Sequence, residues 1–194
     1  MEIKRQNEIF FNRIARYYDM AFGNWIRKIQ IRVIKSVKIR NKSRILDAGC
    51  GTGNLLALLE GYNLKLYGID TSKEMLKIAK KKLRNSNLRL AQIENLKFKK
   101  KYFDYIFSID AFHHYSDKEE AMETFYRILK KNGKLIIVDV TFGRLLNKTL
   151  KKLEPGNSGI YTKSEMENIF KQHNFKCIRR KKVGMLTMMT TGTK

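Results

Sequence analysis

Residues Ile45 to Leu56 read I-L-D-A-G-C-G-T-G-N-L-L, a short apolar strand that passes through a glycine-rich turn into an apolar helical stretch. Gly49, Gly51 and Gly53 allow positive φ, and without a Cβ they let backbone N–H groups approach a ligand closely. A helix starting near Asn54 adds unpaired N–H groups and a positive dipole end, which suit an anionic group such as a carboxylate. Asp70 ends a second strand about twenty residues on, the spacing of a carboxylate that accepts hydrogen bonds from ribose hydroxyls.

The pattern is G-x-G-x-G, and Asn54 stands where a dinucleotide site needs its third glycine. No lysine follows the glycines, so a phosphate-gripping loop is excluded as well. The turn and Asp70 together point to an adenosine-bearing cofactor without a pyrophosphate, S-adenosylmethionine rather than a dinucleotide. Methyl transfer from a sulfonium is an in-line displacement, catalysed mainly by holding the acceptor atom against the methyl group. A phenol, amine or activated carbon also needs a base within hydrogen-bond reach. His113 and His114 follow the fourth expected strand and are the candidate bases; packing and solvent exposure are their structural alternatives. Asp110 is open to three roles: contact with the cofactor, positioning of the acceptor, or helix capping. The third histidine, His173, falls on a distant helix, and no Cys or carboxylate cluster has ligand spacing, so no metal site is expected.

These residues need a scaffold. Strands are expected at 44–48, 65–69, 88–92, 105–109 and 134–140, alternating with helices, a rhythm that implies a parallel sheet in an α/β fold. Residues 3–39 read as helix, with Ile3, Phe10, Ile14 and Tyr17 on one face, and are expected to cap the pocket. Capping boxes are expected at Thr71 with Glu74, Asp117 with Glu120 and Thr162 with Glu165, and a left-handed helix end at Gly133. Residues 148–159 hold the only proline and read as a loop on the ligand side. Residues 175–183 and 184–193 read as two β segments joined at Gly184.

The 194 residues are expected to form one domain, with 1–41 as a helical cap and 42–194 as the core. Cys50 and Cys177 lie in a turn and a strand far apart, which argues against a disulfide framework and for a reducing, cytoplasmic setting. No apolar run approaches a membrane span. The formal charge of +23 invites a nucleic-acid partner. Yet Lys42, Arg44, residues 97–101, Lys130 and Lys131 precede strands, at the edge opposite a cofactor held beyond the strand ends. Their placement favours general surface solvation over RNA binding, while Arg5, Arg13, Arg16, Arg144, Lys148, Lys151 and Lys152 remain candidates for the pocket mouth.

Four ordered segments, Ile45–Asn54, Tyr67–Leu76, Phe103–Ser108 and Leu129–Ile137, resemble the successive motifs of class I S-adenosylmethionine-dependent methyltransferases, closest to the ubiquinone and menaquinone C-methyltransferase branch. The resemblance implies a doubly wound, Rossmann-like sheet, mostly parallel with a C-terminal antiparallel hairpin and helices on both faces. It implies that Asp47, Gly49, Gly51, Thr52 and Gly53 line the methionine end, that Asp70 holds the ribose with Thr71 also at the cofactor, and that Met75 packs on the adenine. Gln92 and Ile93 would form the adenine edge, although the family usually has Asp at the Gln92 position; a side-chain amide still accepts from an amino group. Ala15–Asp19 resembles the family's Tyr-Asp element, placing Tyr18 over the methyl donor, with Ile109 and Asp110 also at the cofactor. Ile109-Asp-Ala-Phe112 replaces the [DN]-P-P-[YF] tetrad of amine-directed members, so the resemblance implies a small-molecule acceptor. RNA or protein as acceptor, and a non-catalytic cofactor-binding scaffold, are the alternatives; oligomeric state is not legible.

Overall fold

The computed structural model describes residues 2–141 and 161–194. The expected loop at 148–159 and the basic residues Arg144, Lys148, Lys151 and Lys152 lie outside the described residues. Helix α1 (Glu2–Ser36) is followed by β1 (Arg44–Ala48), α2 (Asn54–Leu59), β2 (Lys65–Asp70), α3 (Lys73–Lys82), β3 (Ser86–Leu90) and β4 (Phe103–Ile109). A 3₁₀ turn (Phe112–His114) leads to α4 (Lys118–Ile128), β5 (Leu129–Val140), α5 (Lys163–Gln172), β6 (Lys176–Lys182) and β7 (Thr187–Thr193).

The seven strands form one sheet in the order β3-β2-β1-β4-β5-β7-β6. β1 to β5 are mutually parallel, and β7 runs antiparallel between β5 and β6, so the C-terminal hairpin closes the sheet. Side chains alternate across each strand, and both faces are apolar. Ile45, Tyr105, Phe107, Ile136 and Val138 join the α1, α2 and α3 side, with Val33, Leu55, Leu59 and Leu76. Leu46, Ala48, Phe103, Ile106, Leu135 and Ile137 join the α4 and α5 side, with Phe112, Phe125 and Phe170. This two-sided burial makes the central strands unbroken apolar runs. β1 lies between β2 and β4, so the strand order reverses at its carboxyl end, where open α/β sheets bind ligands.

Four local expectations need correction. Edge strand β3 runs over 86–90 rather than 88–92, because the Glu60 carboxylate accepts hydrogen bonds from Arg84 N and Asn85 N and fixes where the chain turns into it. β5 already begins at Leu129, where the chain pairs with Phe103. Ser72, not Thr71, caps α3: its hydroxyl accepts from Met75 N at 3.1 Å. The left-handed residue after α4 is Asn132, with φ +63°. Gly133 is needed for space instead, since a Cβ there would stand 2.8 Å from Lys130 O. The caps at Asp117 and Thr162 form as expected, the latter as a complete capping box.

Candidate active site

At the carboxyl ends of β1, β2 and β4, under α1, lies a cavity of about 1000 Å³ with its open mouth counted. Tyr18, Asp47, Gly49, Gly51, Thr52, Asp70, Thr71, Met75, Gln92, Ile93, Ile109, Asp110 and His114 all line it. Gly53 and His113 do not. Gly53 takes φ +80° at the start of α2, and a Cβ there would meet Leu83 Cδ1 at 2.8 Å and Ala79 Cβ at 3.2 Å, so its place is the close packing of α2 on α3. His113 is buried with its Nδ1 3.0 Å from Asp139 Oδ1, while His114 faces the cavity with its ring edge-on to Phe11 at 5.0 Å. His173 pairs with Glu119 at the far end of α5.

The glycine turn is held by backbone bonds from its ends. Gly49 N and Cys50 N both donate to Ile69 O at 2.9 Å, and Gly53 N donates to Cys50 O at 2.9 Å. Asp70 braces the same turn from the end of β2: one carboxylate oxygen accepts from Gly51 N and the other from Ser72 N, each at 2.8 Å. Burial pushes the Asp70 carboxyl above its ordinary value, against the pull of these backbone donors. Asp47 is 3% exposed, and burial, reinforced by the Asp70 charge, raises its pKa to about 8. Cys50 is buried and its thiol is likewise pushed well up by burial, so it is no thiolate nucleophile at neutral pH.

The lid helix is fastened to the core by polar side chains that the sequence does not pair. Asn7 Nδ2 donates to His114 O at 2.8 Å, and Asn12 Oδ1 accepts from Ser72 Oγ at 2.7 Å. Asp19 Oδ1 accepts from Thr52 Oγ1 at 2.6 Å and Asn54 Nδ2 at 2.8 Å, and Lys82 pairs with the other oxygen at 2.9 Å. These bonds hold the Asp19 carboxyl below its ordinary value despite partial burial. Tyr115, whose hydroxyl donates to Ala48 O and meets Ser108 Oγ, each at 2.9 Å, ties the ends of β1 and β4 together behind the glycine turn. Glu94 accepts from Ser116 N at 3.0 Å and Ser116 Oγ at 2.9 Å, joining the Gln92 loop to the loop after β4. Sequence reading missed Asn7, Phe11, Ile26, Gln30, Tyr115 and Ser116 as cavity residues, whereas Glu94 lies in the 91–96 segment expected at the adenine edge. The four-residue rhythm from Phe22 through Ile26 to Gln30 on α1 is the one signal that could have found part of this set.

Two features of the wall fit an adenosine-bearing ligand. A Cβ built on Gly51 would meet nothing within 4 Å, so the turn leaves open space on the cavity side. The Gln30 side-chain oxygen is buried in the same wall without a hydrogen-bond partner among the described residues. Such a buried acceptor calls for a donor.

The methyltransferase domain model matches residues 46–137. The chain is 32% identical over 137 residues to the demethylmenaquinone methyltransferase of Thermotoga maritima, covering 67% of this chain and 59% of that protein. It is 26% identical to the ubiquinone/menaquinone biosynthesis C-methyltransferase UbiE of Campylobacter jejuni, covering 98% and 91%. For several curated relatives the chain spans about half the length, 47% for a Methanocaldococcus jannaschii protein and 44% for Bacillus subtilis YcgJ. Among solved structures, a chain of the complex of the Haloferax volcanii Trm112 methyltransferase activator superposes with TM-score 0.82 at 15% identity, covering 94% of this chain and 96% of that one. The B. subtilis YcgJ structure superposes with TM-score 0.72 at 20% identity, covering 86% and 97%.

Sheet order, glycine turn and these likenesses agree, and together they support a class I S-adenosylmethionine-dependent methyltransferase. Its cofactor is S-adenosylmethionine. No described helix is long and apolar enough to cross a membrane.

Proposed function

We propose that this protein transfers the methyl group of S-adenosylmethionine directly to a small, lipid-like ring acceptor of the kind its Thermotoga and Campylobacter relatives are named for. The observation that carries this reading is one cavity whose wall combines Asp70, Met75 and Gln92 with the apolar lid residues Phe11, Tyr18 and Ile26. When bound, S-adenosylmethionine supplies an electrophilic methyl group on a sulfonium. Asp70 accepts from the ribose hydroxyls, beside Thr71. Met75 and Ile93 pack on the adenine, and the Gln92 amide accepts from its amino group. Asp47, Thr52 and the backbone of Gly49 and Gly51 receive the methionine end. Tyr18, Ile109 and Asp110 enclose the reacting centre, where α1 excludes water and positions the acceptor.

The first test is calorimetric titration with S-adenosylhomocysteine, with NAD as control. Micromolar binding of the first alone supports the reading; binding of neither overturns it and favours a non-catalytic scaffold, or a site that only a partner completes.

Asp47 makes this binding depend on pH. With a pKa near 8 it is protonated at pH 7 in the ligand-free protein, and a cationic group bound beside it favours the ionised form. Binding therefore releases a proton below pH 8, and affinity rises by up to about tenfold per pH unit until it levels off near that pH. The sign for folding is the opposite. The folded state holds this proton more tightly than the unfolded chain, so the ligand-free protein loses stability as pH rises from the ordinary carboxyl range to about 8. Titrations at pH 7 in buffers of different ionisation enthalpy read the released proton directly, and a heat independent of buffer removes Asp47 from the cationic end.

His114 faces the cavity, so His114→Ala is expected to lower turnover roughly 10²-fold or more with cofactor affinity unchanged if it serves as the base. Full activity would make it a structural residue that packs on Phe11.

The charge of +23 favours one second reading, RNA as the acceptor. It requires tRNA binding that weakens steeply with salt. Binding absent at low salt would exclude it.

A further inference from the structure

Three side chains converge between the ends of β4 and β5, at the wall of the cavity nearest Ile109. Asp110 follows β4 with φ +55°, His113 sits in the 3₁₀ turn, and Asp139 is the penultimate residue of β5. One potential ligand atom from each lies within 4.8 Å of the others. The backbone fixes the two carboxylate-bearing segments against each other, because Asp110 N donates to Val138 O at 2.7 Å. His113 and Asp139 are 3% and 5% exposed, whereas Asp110 also lines the cavity.

The His113–Asp139 separation suits neighbouring positions on a bound cation. Neighbouring ligands on an octahedral ion with bonds of about 2.1 Å stand about 3.0 Å apart, and opposite ligands about 4.2 Å. His113 Nδ1 and Asp139 Oδ1 form a 3.0 Å hydrogen bond, a separation that two neighbouring ligands of one ion also have. A potential ligand atom of Asp110 lies within 4.8 Å of both, and Asp110 is the member of the three that also lines the cavity. One imidazole and two carboxylates form a mixed nitrogen and oxygen set, which suits Mn²⁺, Fe²⁺ or Zn²⁺ more than an all-oxygen ion such as Ca²⁺. Two such carboxylates also balance a double positive charge in a buried place where a lone ion would be costly.

We propose that Asp110, His113 and Asp139 bind one divalent cation in the cavity wall beside Ile109, and that a position open on the Asp110 side, the one side of the three that lines the cavity, takes an oxygen of the methyl acceptor. Three protein ligands leave room for such a substrate atom. Only the second half, the acceptor oxygen, rests on the methyltransferase reading. A phenol-like or enol-like acceptor then has the right chemistry, since a cation stabilises its ionised oxygen. His113 acquires a role other than that of a cavity base, as a ligand held behind the wall.

The test uses the full chain after chelator treatment, titrated with MnCl₂ and followed by the free Mn²⁺ paramagnetic resonance signal and by calorimetry. One Mn²⁺ per chain is expected. Asp139→Asn and Asp110→Asn should each weaken binding about tenfold or more, and Asp139→Asn should leave S-adenosylhomocysteine affinity unchanged. If Asp139→Asn fails to fold, Asp110→Asn, at the less buried position, carries the test. No Mn²⁺ bound at millimolar concentration overturns the site, and so does binding that survives both variants undiminished. Normal S-adenosylhomocysteine binding beside that failure leaves the methyltransferase reading standing. Mn²⁺ binding without S-adenosylhomocysteine binding does the reverse: it keeps the cation site and removes the acceptor.

Discussion

Asp70→Ala is expected to weaken S-adenosylhomocysteine binding by at least about tenfold, measured by calorimetry, because it removes two functions at once. A hydrogen bond to a charged group contributes about 1.5–3 kcal/mol, and each 1.4 kcal/mol is about tenfold in affinity. The carboxylate is the proposed ribose acceptor, and it also holds Gly51 N and Ser72 N at 2.8 Å each. Losing it leaves the glycine turn without its brace and those two donors without their acceptor. Asp70→Asn separates the functions. A carboxamide has a single accepting oxygen, so it keeps one of the two backbone bonds and places an N–H₂ against the other donor. Its affinity should therefore fall between wild type and Asp70→Ala. Affinity unchanged in both variants would remove Asp70 from the ribose site and leave it as a turn brace.

Why the glycine turn was legible and its surroundings were not follows from range. β1 is an apolar run because both its faces are buried, and its turn needs three glycines within five residues, so local sequence carries both. β3 is an edge strand with Arg89 and Leu90 exposed, so no hydrophobic pattern marks its ends, and a carboxylate more than twenty residues away sets its start. Thr71 and Ser72 are equally good caps by type; what separates them is that Asp70 takes Ser72 N while Asn12, from α1, takes the Ser72 hydroxyl. Adjacent His113 and His114 could not be told apart either. A 3₁₀ turn points one ring toward Asp139, 26 residues on, and the other into the cavity. Asp139 itself reads as one polar residue in a buried strand, and only the parallel pairing of β4 with β5 brings it beside Asp110 and His113. The tethers from Asn7, Asn12 and Asp19 are of the same kind, side chains on one long helix whose partners lie in three different loops.

Gly49→Ala should cost more stability than any other single methyl added to the turn. Its φ of +81° lies in the left-handed region, where an L side chain costs about 1–2 kcal/mol. A Cβ there would stand 2.5 Å from the Ala111 Cβ, a contact that no rotation of a flexible side chain can relieve. Forced overpacking of this kind adds about 1–3 kcal/mol, so the total loss is about 2–5 kcal/mol, read as a lower urea midpoint at unchanged slope. Gly51→Ala is the contrast, because its φ of +52° carries similar strain while its Cβ meets nothing within 4 Å. It should lose only the backbone part, about 1–2 kcal/mol, yet its methyl group would occupy the open space that the ligand needs. The two substitutions therefore divide in opposite senses: Gly49→Ala acts mainly on folding, and Gly51→Ala mainly on S-adenosylhomocysteine affinity. Equal stability losses would show that Ala111 moves aside. Unchanged affinity in a folded Gly51→Ala protein would mean that the cofactor does not approach the turn at that point.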